Sequence, residues 1–405
     1  MKSAPESPAS FSSAFSARAE WRLILACARV QLDPVQRHRI RELLKGRVDW
    51  TDVVITATQH RVESLVHRHL LSEFAGAVPA SALQSFKEIS RERSSKNLHL
   101  TGQLVALLDL FEKEEICAIP YKGPTLAALA YGNFGLRYCE DLDFALPQRE
   151  VTRALQVLVT AGFRTDLNPS EARDARLLAQ GQVGQYCFYS DAQRILVELH
   201  TENTLRYFPI PIDWEMLCQK LEPVTIGGRQ FSTFPVEALL LLLSVHGAKH
   251  FWNRLSWVCD IAAITQTSRE LDWELSLQLA RRLGCGRMWL LGLALANSIL
   301  DAPLPAHVLH KIRGDSGLAP LVRNVQARML RRDRLDPNAL GRFSFRLRSH
   351  EAWTQGLRQC LRVATRPTED DLRAFALPEW AASLYPLLRP FRLLRQHGLG
   401  LRPRS

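Results

Sequence analysis

The stretch KGPTLAALAYGNFGLRYCEDLDFAL (residues 122–146) decides the fold of this chain. It continues from ICAIPYK (116–122), a short apolar segment that predicts a buried strand. PTLAALAY (124–131) predicts a short helix, and the glycines that follow it predict a loop. YCEDLDFAL (138–146) alternates in polarity and predicts a second strand. The stretch therefore predicts two strands that are joined by a helix and a loop.

The residues that follow extend this pattern. Apolar positions at helical spacing over residues 151–159 predict a helix, and Gly162 is placed to end it. QYCFYS (185–190) and RILVELH (194–200) flank a short polar turn, which predicts a β-hairpin. Residues 116–200 therefore predict the order β-α-β-α-β-β, a small mixed sheet with helices on one face.

Helical patterns flank this sheet on both sides. The chain has 405 residues, and apolar positions at helical spacing recur before residue 115 and after residue 213. We therefore expect the α+β class, with a small mixed β-sheet core embedded in a mostly helical chain. The predicted divisions are, in chain order, a disordered tail, a helical region, an α/β core, a helical domain and an arginine-rich helical extension: 1–18, 19–115, 116–210, 211–330 and 331–405.

The composition excludes several classes of protein. Hydrophobic residues make up 46% of the chain and charged residues 23%, which argues against wholesale disorder, a collagen and a coiled-coil rod. The longest apolar runs are shorter than the roughly 20 residues of a membrane-spanning helix. The eight cysteines form no CxxC pair, and the N-terminus lacks the continuous apolar stretch of a secretory signal. We therefore expect a cytoplasmic protein with reduced thiols.

The positive charge is concentrated near the C-terminus. Residues 341–405 hold twelve arginines and five acidic residues, a net +7 of the chain's +11. A basic segment of this kind predicts binding to nucleic acid, to an anionic membrane surface or to a phosphorylated substrate. The alternative is a solvated helix face that only aids solubility.

Three acidic residues carry the strongest chemical signal. Asp141 and Asp143 are two positions apart on a predicted strand, so both carboxylates project from the same face. Glu198 lies on the later strand RILVELH, where sheet pairing can bring it beside them. Neighbouring carboxylates repel each other unless a cation lies between them, and Mg²⁺ binds carboxylates together with substrate phosphates. Such a cluster is typical of two-metal phosphoryl or nucleotidyl transfer; the alternative is a set of solvated acids at strand ends.

A second group of residues is suited to phosphate. Lys122 and Gly123 end the first strand just before a helix, where glycine lets the backbone approach a phosphate and the helix N-terminus offers N–H donors. Lys122 would add a positive charge, and Arg137 would neutralise phosphate charge in the transition state. The alternatives are an ordinary strand-to-helix turn and an ion pair of Arg137 with Glu140 or Asp141.

Together these residues resemble the signature of the uncharacterised nucleotidyltransferase family of bacteria, within the DNA polymerase beta-like nucleotidyltransferase superfamily. The resemblance also includes Glu198-Leu199-His200 and a helical segment similar to HGAKHFWNRLSWVCDIAAI (246–264). It extends over roughly residues 20–265 and, more weakly, over 383–394. It implies that the α/β core is a nucleotidyltransferase core. It further implies a nucleotidyl-transfer site at six residues: Lys122, Gly123, Arg137, Asp141, Asp143 and Glu198.

The segment HGAKH adds three polar side chains to one helical face. His246, Lys249 and His250 are spaced i, i+3 and i+4. The two histidines have the spacing of a zinc helix, but the glutamate of HExxH is missing. We expect Lys249 and His250 to bind phosphate, and His246 and His200 to support the metal ligands. The alternative is a polar helix face that packs at a domain junction.

The sequence therefore predicts an enzyme, a metal-dependent nucleotidyltransferase. It would move NMP from an NTP substrate to an acceptor and release pyrophosphate. Its cofactor would be Mg²⁺, or Mn²⁺ in its place, held by Asp141, Asp143 and Glu198. The resemblance implies an acceptor from polysaccharide or peptide biosynthesis.

Two other functions stay open at this point. Pro124 removes a backbone donor from the phosphate turn, which would suit a fold that binds a nucleotide or a partner protein without turnover. Alternatively, the protein is a nucleotidyltransferase that modifies RNA and whose basic residues 341–405 track the phosphate backbone.

Overall fold

The structure of the chain is a computed structural model that describes residues 18–165, 167, 185–201, 214–218, 220–268, 270–331, 339–365, 377 and 384–397. The predicted disordered tail lies outside these residues, apart from Arg18. The described residues form a mostly helical chain around a small mixed sheet, so the predicted α+β class is confirmed. The predicted domain boundaries stay a prediction.

In the described part of the chain, five α-helices precede the sheet. They are α1 Ala19–Cys27, α2 Pro34–Leu44, α3 Trp50–Gln59, α4 Glu63–Glu73 and α5 Ala80–Lys113. Asp33 and Asp49 begin two of them, because each carboxylate accepts a hydrogen bond from a main-chain N–H of the first turn. Helix α5 is 34 residues long, and one face of its C-terminal part is buried: Leu100, Leu104, Leu107, Leu108 and Phe111.

The main sheet has four strands among the described residues: β1 Ile119–Pro120, β2 Leu142–Ala145, β3 Gln185–Ser190 and β4 Ile195–His200. Their order is β1-β2-β4-β3; β2 and β4 run parallel, and the two outer pairs run antiparallel. Helix α6 (Gly123–Leu126), continued by a π-helical turn (Ala127–Tyr131), follows β1, and α7 (Val151–Thr160) follows β2. The predicted hairpin is confirmed, while the first two strands are shorter than the segments that predict them.

The two faces of this sheet differ in chemistry, because side chains alternate along each strand. One face is apolar: Leu142 and Phe144 of β2, and Val197 and Leu199 of β4, are fully buried. It shares one core with α5 and α7, and Phe144 meets Phe111 of α5 edge to face, with ring centroids 5.3 Å apart. The alternate positions of the same strands carry the polar residues of the predicted site.

A two-stranded antiparallel sheet interrupts the region 211–330, which the sequence predicts as helical. Strands β5 (Glu222–Ile226) and β6 (Arg229–Thr233) are joined by two glycines with φ angles of 60° and 81°, which suit a tight hairpin turn. Thr233 Oγ1 donates a hydrogen bond to the carbonyl of Pro120 at 2.7 Å, so the hairpin lies against β1. The Gly-Gly pair between two alternating runs is the signal that the sequence analysis overlooked.

One further described helix precedes this hairpin and nine follow it. They are α8 Trp214–Cys218, α9 Val236–Lys249, α10 Leu255–Thr267, α11 Trp273–Arg282, α12 Gly286–Leu300, α13 Ala306–Gly314, α14 Leu318–Met329, α15 Ala339–Arg348, α16 Trp353–Thr365 and α17 Tyr385–His397. Helix α9 is apolar on most sides, and it lies inside the larger core against α10, α11 and α12. Within the described ranges, no helix is both long enough and apolar enough to cross a membrane.

The turn between α9 and α10 has uncommon backbone geometry. Phe251 and Trp252 have positive φ angles of 58° and 54°, which are unfavourable for residues with a bulky side chain. The Trp252 ring is fully buried, and it lies so close to Gly247 that an added Cβ there would meet it at 2.6 Å. The buried indole therefore stabilises a turn that brings His250 and Asn253 to the edge of a cavity beside the sheet.

Candidate active site

Asp143 and Glu198 lie side by side, because β2 and β4 run parallel with these two residues in register. His200 lies on the same face, and its Nε2 is 3.0 Å from Asp143 Oδ1 and 3.3 Å from Glu198 Oε2. One ligand atom from each of the three residues lies within 4.8 Å of the others, a spacing that suits a metal ion.

Lys122 completes this cluster from the end of β1. Its Nζ lies 2.7 Å from Asp143 Oδ1. Burial opposes ionisation of both groups, but their attraction outweighs it, so the pKa of Asp143 lies below its usual range and the pKa of Lys122 above its usual range. Burial also acts on Glu198, where the hydrogen bond from His200 prevails and lowers the pKa. Asp143, Glu198 and Lys122 are therefore ionised at neutral pH.

Asp141 lies one residue before β2 and lines the cavity next to this cluster. Burial and the charges of Asp143 and Glu198 raise the pKa of its carboxyl group to about 7. The group therefore gains and loses a proton near neutral pH. Of the three acids that the sequence predicts to converge, two share the candidate metal cluster with His200, and the third is their neighbour.

Gly123 permits a close approach between the turn after β1 and the start of β2. Its φ is 51°, and an added Cβ would lie 3.0 Å from the carbonyl oxygen of Asp141. Pro124 fits the first turn of α6, where its missing N–H would have no intrahelical partner. The Lys-Gly turn that the sequence assigns to phosphate therefore lies directly against the strand that carries the aspartates.

Arg137 is fixed by Asp260, a buried residue of α10. The Nε and Nη2 atoms of Arg137 lie 2.8 and 2.9 Å from the two carboxylate oxygens, and the Tyr131 hydroxyl donates to Asp260 Oδ1 at 2.7 Å. Nη1 of Arg137 faces the carbonyl oxygens of Gly123 and Tyr138 at 3.3 and 3.4 Å. This bidentate ion pair connects α10 to the turn at Gly123.

The sequence left Arg137 with two possible acidic partners, and the structure gives it a third. Glu140 pairs with Arg61 at 2.8 Å instead, and Asp141 turns to the cavity. Asp260 is therefore a site residue that the sequence analysis noted only as part of a helix. A single acid among the apolar positions of α10 is the signal that could have found it.

A cavity of about 320 Å³ opens on the polar face of the sheet. Lys122, Gly123, Asp141 and Asp143 line it from the sheet side. Helices α9 and α10, and the turn between them, line it from the other side. The cavity falls within the size range of small-molecule sites.

The predicted residues of α9 divide between this cavity and the sheet edge. His246 and His250 line the cavity; burial and the charges of Lys122 and Lys249 lower the pKa of His250 to about 3 and that of His246 well below its usual range. Lys249 instead reaches β3, with its Nζ 3.4 Å from Gln185 Oε1. An uncharged His250 would contact a phosphate through a ring N–H and not through a positive charge, and its predicted role in phosphate binding stays a prediction. Among the described residues, no third ligand joins the two histidines, so the zinc alternative finds no support.

The architecture is that of the nucleotidyltransferase fold: a parallel strand pair carries the acids, and a Lys-Gly turn faces them beside a polar cavity. The chain belongs to the uncharacterised nucleotidyltransferase family, whose profile matches residues 46–301. The match includes every site residue described above, so the predicted family is confirmed. No curated protein and no solved structure matches the chain.

Proposed function

We propose that the protein transfers NMP from an NTP to an acceptor hydroxyl or phosphate and releases pyrophosphate. One observation carries the proposal: Asp143 and Glu198 are in parallel register, and Asp143 lines a polar cavity of about 320 Å³ beside Lys122. Family membership supports the same class of reaction. Components of polysaccharide or peptide biosynthesis stay the acceptor candidates, on the resemblance alone.

The donor set at the cluster fits a divalent ion. Asp143 and Glu198 offer carboxylate oxygens, which Mg²⁺ and Mn²⁺ prefer, and Asp141 adds another carboxylate at the cavity. Two carboxylates this close also need a cation, and Lys122 already contributes one charge. A bound ion would polarise the α-phosphate and lower the pKa of the attacking hydroxyl.

The chain's own residues account for the rest of the reaction. Lys122 and Arg137 supply positive charge at the turn of Gly123, where the triphosphate would bind. Arg137 is held on one edge by Asp260, so its orientation is set before the substrate arrives. The acceptor oxygen forms a bond to the α-phosphorus. The bond between this phosphorus and the oxygen that bridges it to the β-phosphorus breaks, and pyrophosphate leaves. Asp141 lines the cavity beside the candidate metal cluster and is placed to accept the proton of an attacking hydroxyl.

Incubation with each α-³²P-labelled NTP, Mg²⁺ or Mn²⁺ and a host lysate tests this reaction. We expect label transfer with wild type and its loss with Asp141→Asn and Asp143→Asn. Asp191→Asn is the matched control, because this exposed aspartate lies on the turn of the same sheet, away from the cavity. Equal labelling by wild type and the Asp143→Asn variant would refute the proposal.

The alternative of nucleotide binding without turnover has one observation in its favour. Pro124 withdraws a main-chain donor from the turn that would hold the phosphates. Isothermal titration separates the two functions. Metal-dependent NTP binding without any pyrophosphate release would support the non-catalytic module, whereas steady pyrophosphate release excludes it.

We further propose that helices α15 to α17 bind an anionic membrane surface. Large apolar side chains are exposed along them at one-turn spacing: Trp353, Leu357 and Leu361 of α16, and Leu387 and Phe391 of α17. This part of the chain also carries most of the net positive charge. Exposed tryptophan, leucine and phenylalanine beside arginines are typical of helices that lie in the lipid interface.

Cosedimentation with vesicles tests this surface. We expect binding to vesicles that contain phosphatidylserine, weak binding to phosphatidylcholine alone, and loss of binding in the Trp353→Asp/Leu361→Asp variant. The control variant carries the same change at Leu71 and Leu98, two exposed leucines of α4 and α5. Salt-sensitive binding to RNA without binding to vesicles would instead favour the RNA-modifying alternative.

A further inference from the structure

The cavity has two walls with different chemistry. The sheet side is charged and carries Lys122, Asp141 and Asp143. The opposite side, from α9, α10 and the turn between them, carries Arg254 and Asp260 and also presents three aromatic rings: His246, His250 and Trp257. We refer to these three residues as the ring wall. A nucleotide has the same two-part character, with a charged phosphate chain and a flat, uncharged base.

The rings of this wall form one packed group. The ring centroids of His246 and His250 are 4.7 Å apart, and Trp257 lies 5.5 Å from the first and 5.2 Å from the second. All three side chains are partly exposed rather than fully buried, and all three line the cavity. The three rings therefore pack against one another, which restricts their orientation. Each ring can also present its face or its edge to a ligand in the cavity.

The ring wall is uncharged. Burial, with the nearby positive charges of Lys122 and Lys249, lowers the pKa of His246 and of His250 far below neutral pH. Neutral imidazoles attract phosphate weakly, but each has one hydrogen-bond donor and one acceptor in a flat ring. Asn253 and Ser256 line the cavity next to these rings and add polar groups of the kind that read the edge of a base.

We propose that the ring wall, with Asn253, is the nucleobase subsite, and that the phosphates of the same nucleotide lie at Lys122 and Gly123. This inference rests on the proposed function, since it assigns the two ends of one NTP to the two walls. Stacking of a base on aromatic side chains is sequence-tolerant, because every base has a π-face. The larger ring system of a purine would bury more surface here, so we expect ATP and GTP to bind more tightly than CTP and UTP.

The test compares a ligand that has a base with one that lacks it. Binding of each NTP and of inorganic tripolyphosphate is measured by isothermal titration in the presence of Mg²⁺, with wild type, His250→Ala, Trp257→Leu and Trp257→Phe. Loss of stacking on one ring corresponds to about 5- to 150-fold, so we expect the NTP Kd to rise by this order in the first two variants. The tripolyphosphate Kd should stay within about twofold, and Trp257→Phe should recover most of the NTP affinity.

Two controls separate this effect from misfolding. His38→Ala changes an exposed histidine of α2, away from the cavity, and should leave both Kd values unchanged. Far-ultraviolet circular dichroism and the thermal midpoint show whether each variant is folded. A folded variant that loses NTP and tripolyphosphate affinity equally would overturn the inference, because the wall would then act on phosphate binding.

The outcomes distinguish the inference from the proposed function. Unchanged NTP affinity in the His250 and Trp257 variants, or a raised KM for the acceptor alone, would overturn the nucleobase subsite while transfer activity persists in wild type. Tight NTP binding that depends on the ring wall, without transfer or pyrophosphate release, would support the subsite and contradict the reaction. A wild type that binds neither ligand would contradict both.

Discussion

Adjacent residues of β2 and β4 point to opposite faces of the sheet, and the two faces have different roles. Leu142, Phe144 and Val197 face the core that α5 and α7 share. Asp143 lines a cavity beneath α9 and α10, and Glu198 is in register beside it. The apolar face is held by burial, and the polar face by paired charges. Burial of the apolar face therefore fixes the two strands, so that Asp143 and Glu198 stay adjacent in spite of their like charge.

The largest effect should come from the polar face. Asp143→Asn keeps the size of the side chain but removes the charge that faces Lys122 and His200. We expect transfer to fall by about 10³-fold or more, because the proposed metal site would lose one carboxylate. Release of labelled pyrophosphate from a γ-³²P-labelled NTP measures the rate, and Asp191→Asn should retain it. A variant with more than a tenth of wild-type activity would show that the carboxylate is dispensable.

The matching change on the apolar face should act on stability and leave the chemistry intact. Phe144→Ala removes a fully buried ring that meets Phe111, and we expect the free energy of unfolding to fall by about 3–5 kcal/mol. Urea denaturation followed by circular dichroism gives this value. Activity per folded molecule should stay within about threefold of wild type. A strong loss of activity in fully folded protein would show that the two faces are coupled more tightly than their separate contacts indicate.

Substitution of Asp260 should have a smaller effect, on the rate of transfer and on the KM for the NTP. Asp260→Asn weakens the ion pair with Arg137, so we expect a fall in transfer of about 10- to 100-fold, with a higher KM for the NTP. Tyr131→Phe removes one neutral hydrogen bond to the same carboxylate and should cost less than about fivefold. A loss of kcat at unchanged KM in Asp260→Asn would mean that Arg137 does not hold the substrate before the chemical step.

Mild acid should lower the free energy of unfolding through three histidines at α9 and α10. Burial, with the charge of Arg254, lowers the pKa of His60 to about 4, and burial lowers the pKa values of His246 and His250 as well. The unfolded chain therefore binds more protons below about pH 6.5, and the free energy of unfolding falls as the pH decreases toward 4. Between pH 7 and 5.5 we expect about 1 kcal/mol for each histidine.

His60→Gln isolates one of these contributions. Nδ1 of His60 accepts a hydrogen bond from the main-chain N–H of Leu255 at 3.3 Å, and a glutamine oxygen can do the same without taking up a proton. The urea midpoint of each protein is measured at pH 7 and at pH 5.5. The midpoint should fall more between these two pH values in wild type than in the variant. The same pH dependence in both proteins would show that His60 does not contribute to acid sensitivity.

Local patterns made part of this molecule predictable. The hairpin of β3 and β4 follows from two alternating segments around a polar turn, and Gly162, with a φ of 89°, ends α7 as predicted. The pairing of Asp143 with Glu198 was accessible because both residues lie on predicted strands of one small sheet. The predictions that held therefore concern residues whose neighbours are set by strand or helix periodicity.

Contacts between distant segments were not predictable in the same way. Asp260 is 123 positions from Arg137, and nothing near either residue identifies the partner. His200 was expected only to support the ligands, and its place within the cluster depends on the strand register. Lys122 was assigned to phosphate, and its ion pair with Asp143 depends on how β1 packs beside β2. The charge state of His250 depends on burial, which one sequence does not reveal.

The in-register pairing of Asp143 with Glu198 has a consequence for folding errors. A slip of β4 by one position would place Val197 or Leu199 opposite Asp143. Glu198 and His200 would then point into the apolar core. The same mistake would therefore ruin packing and erase the acidic pair at once. A copy with this register error therefore lacks the acidic pair as well as the packed core.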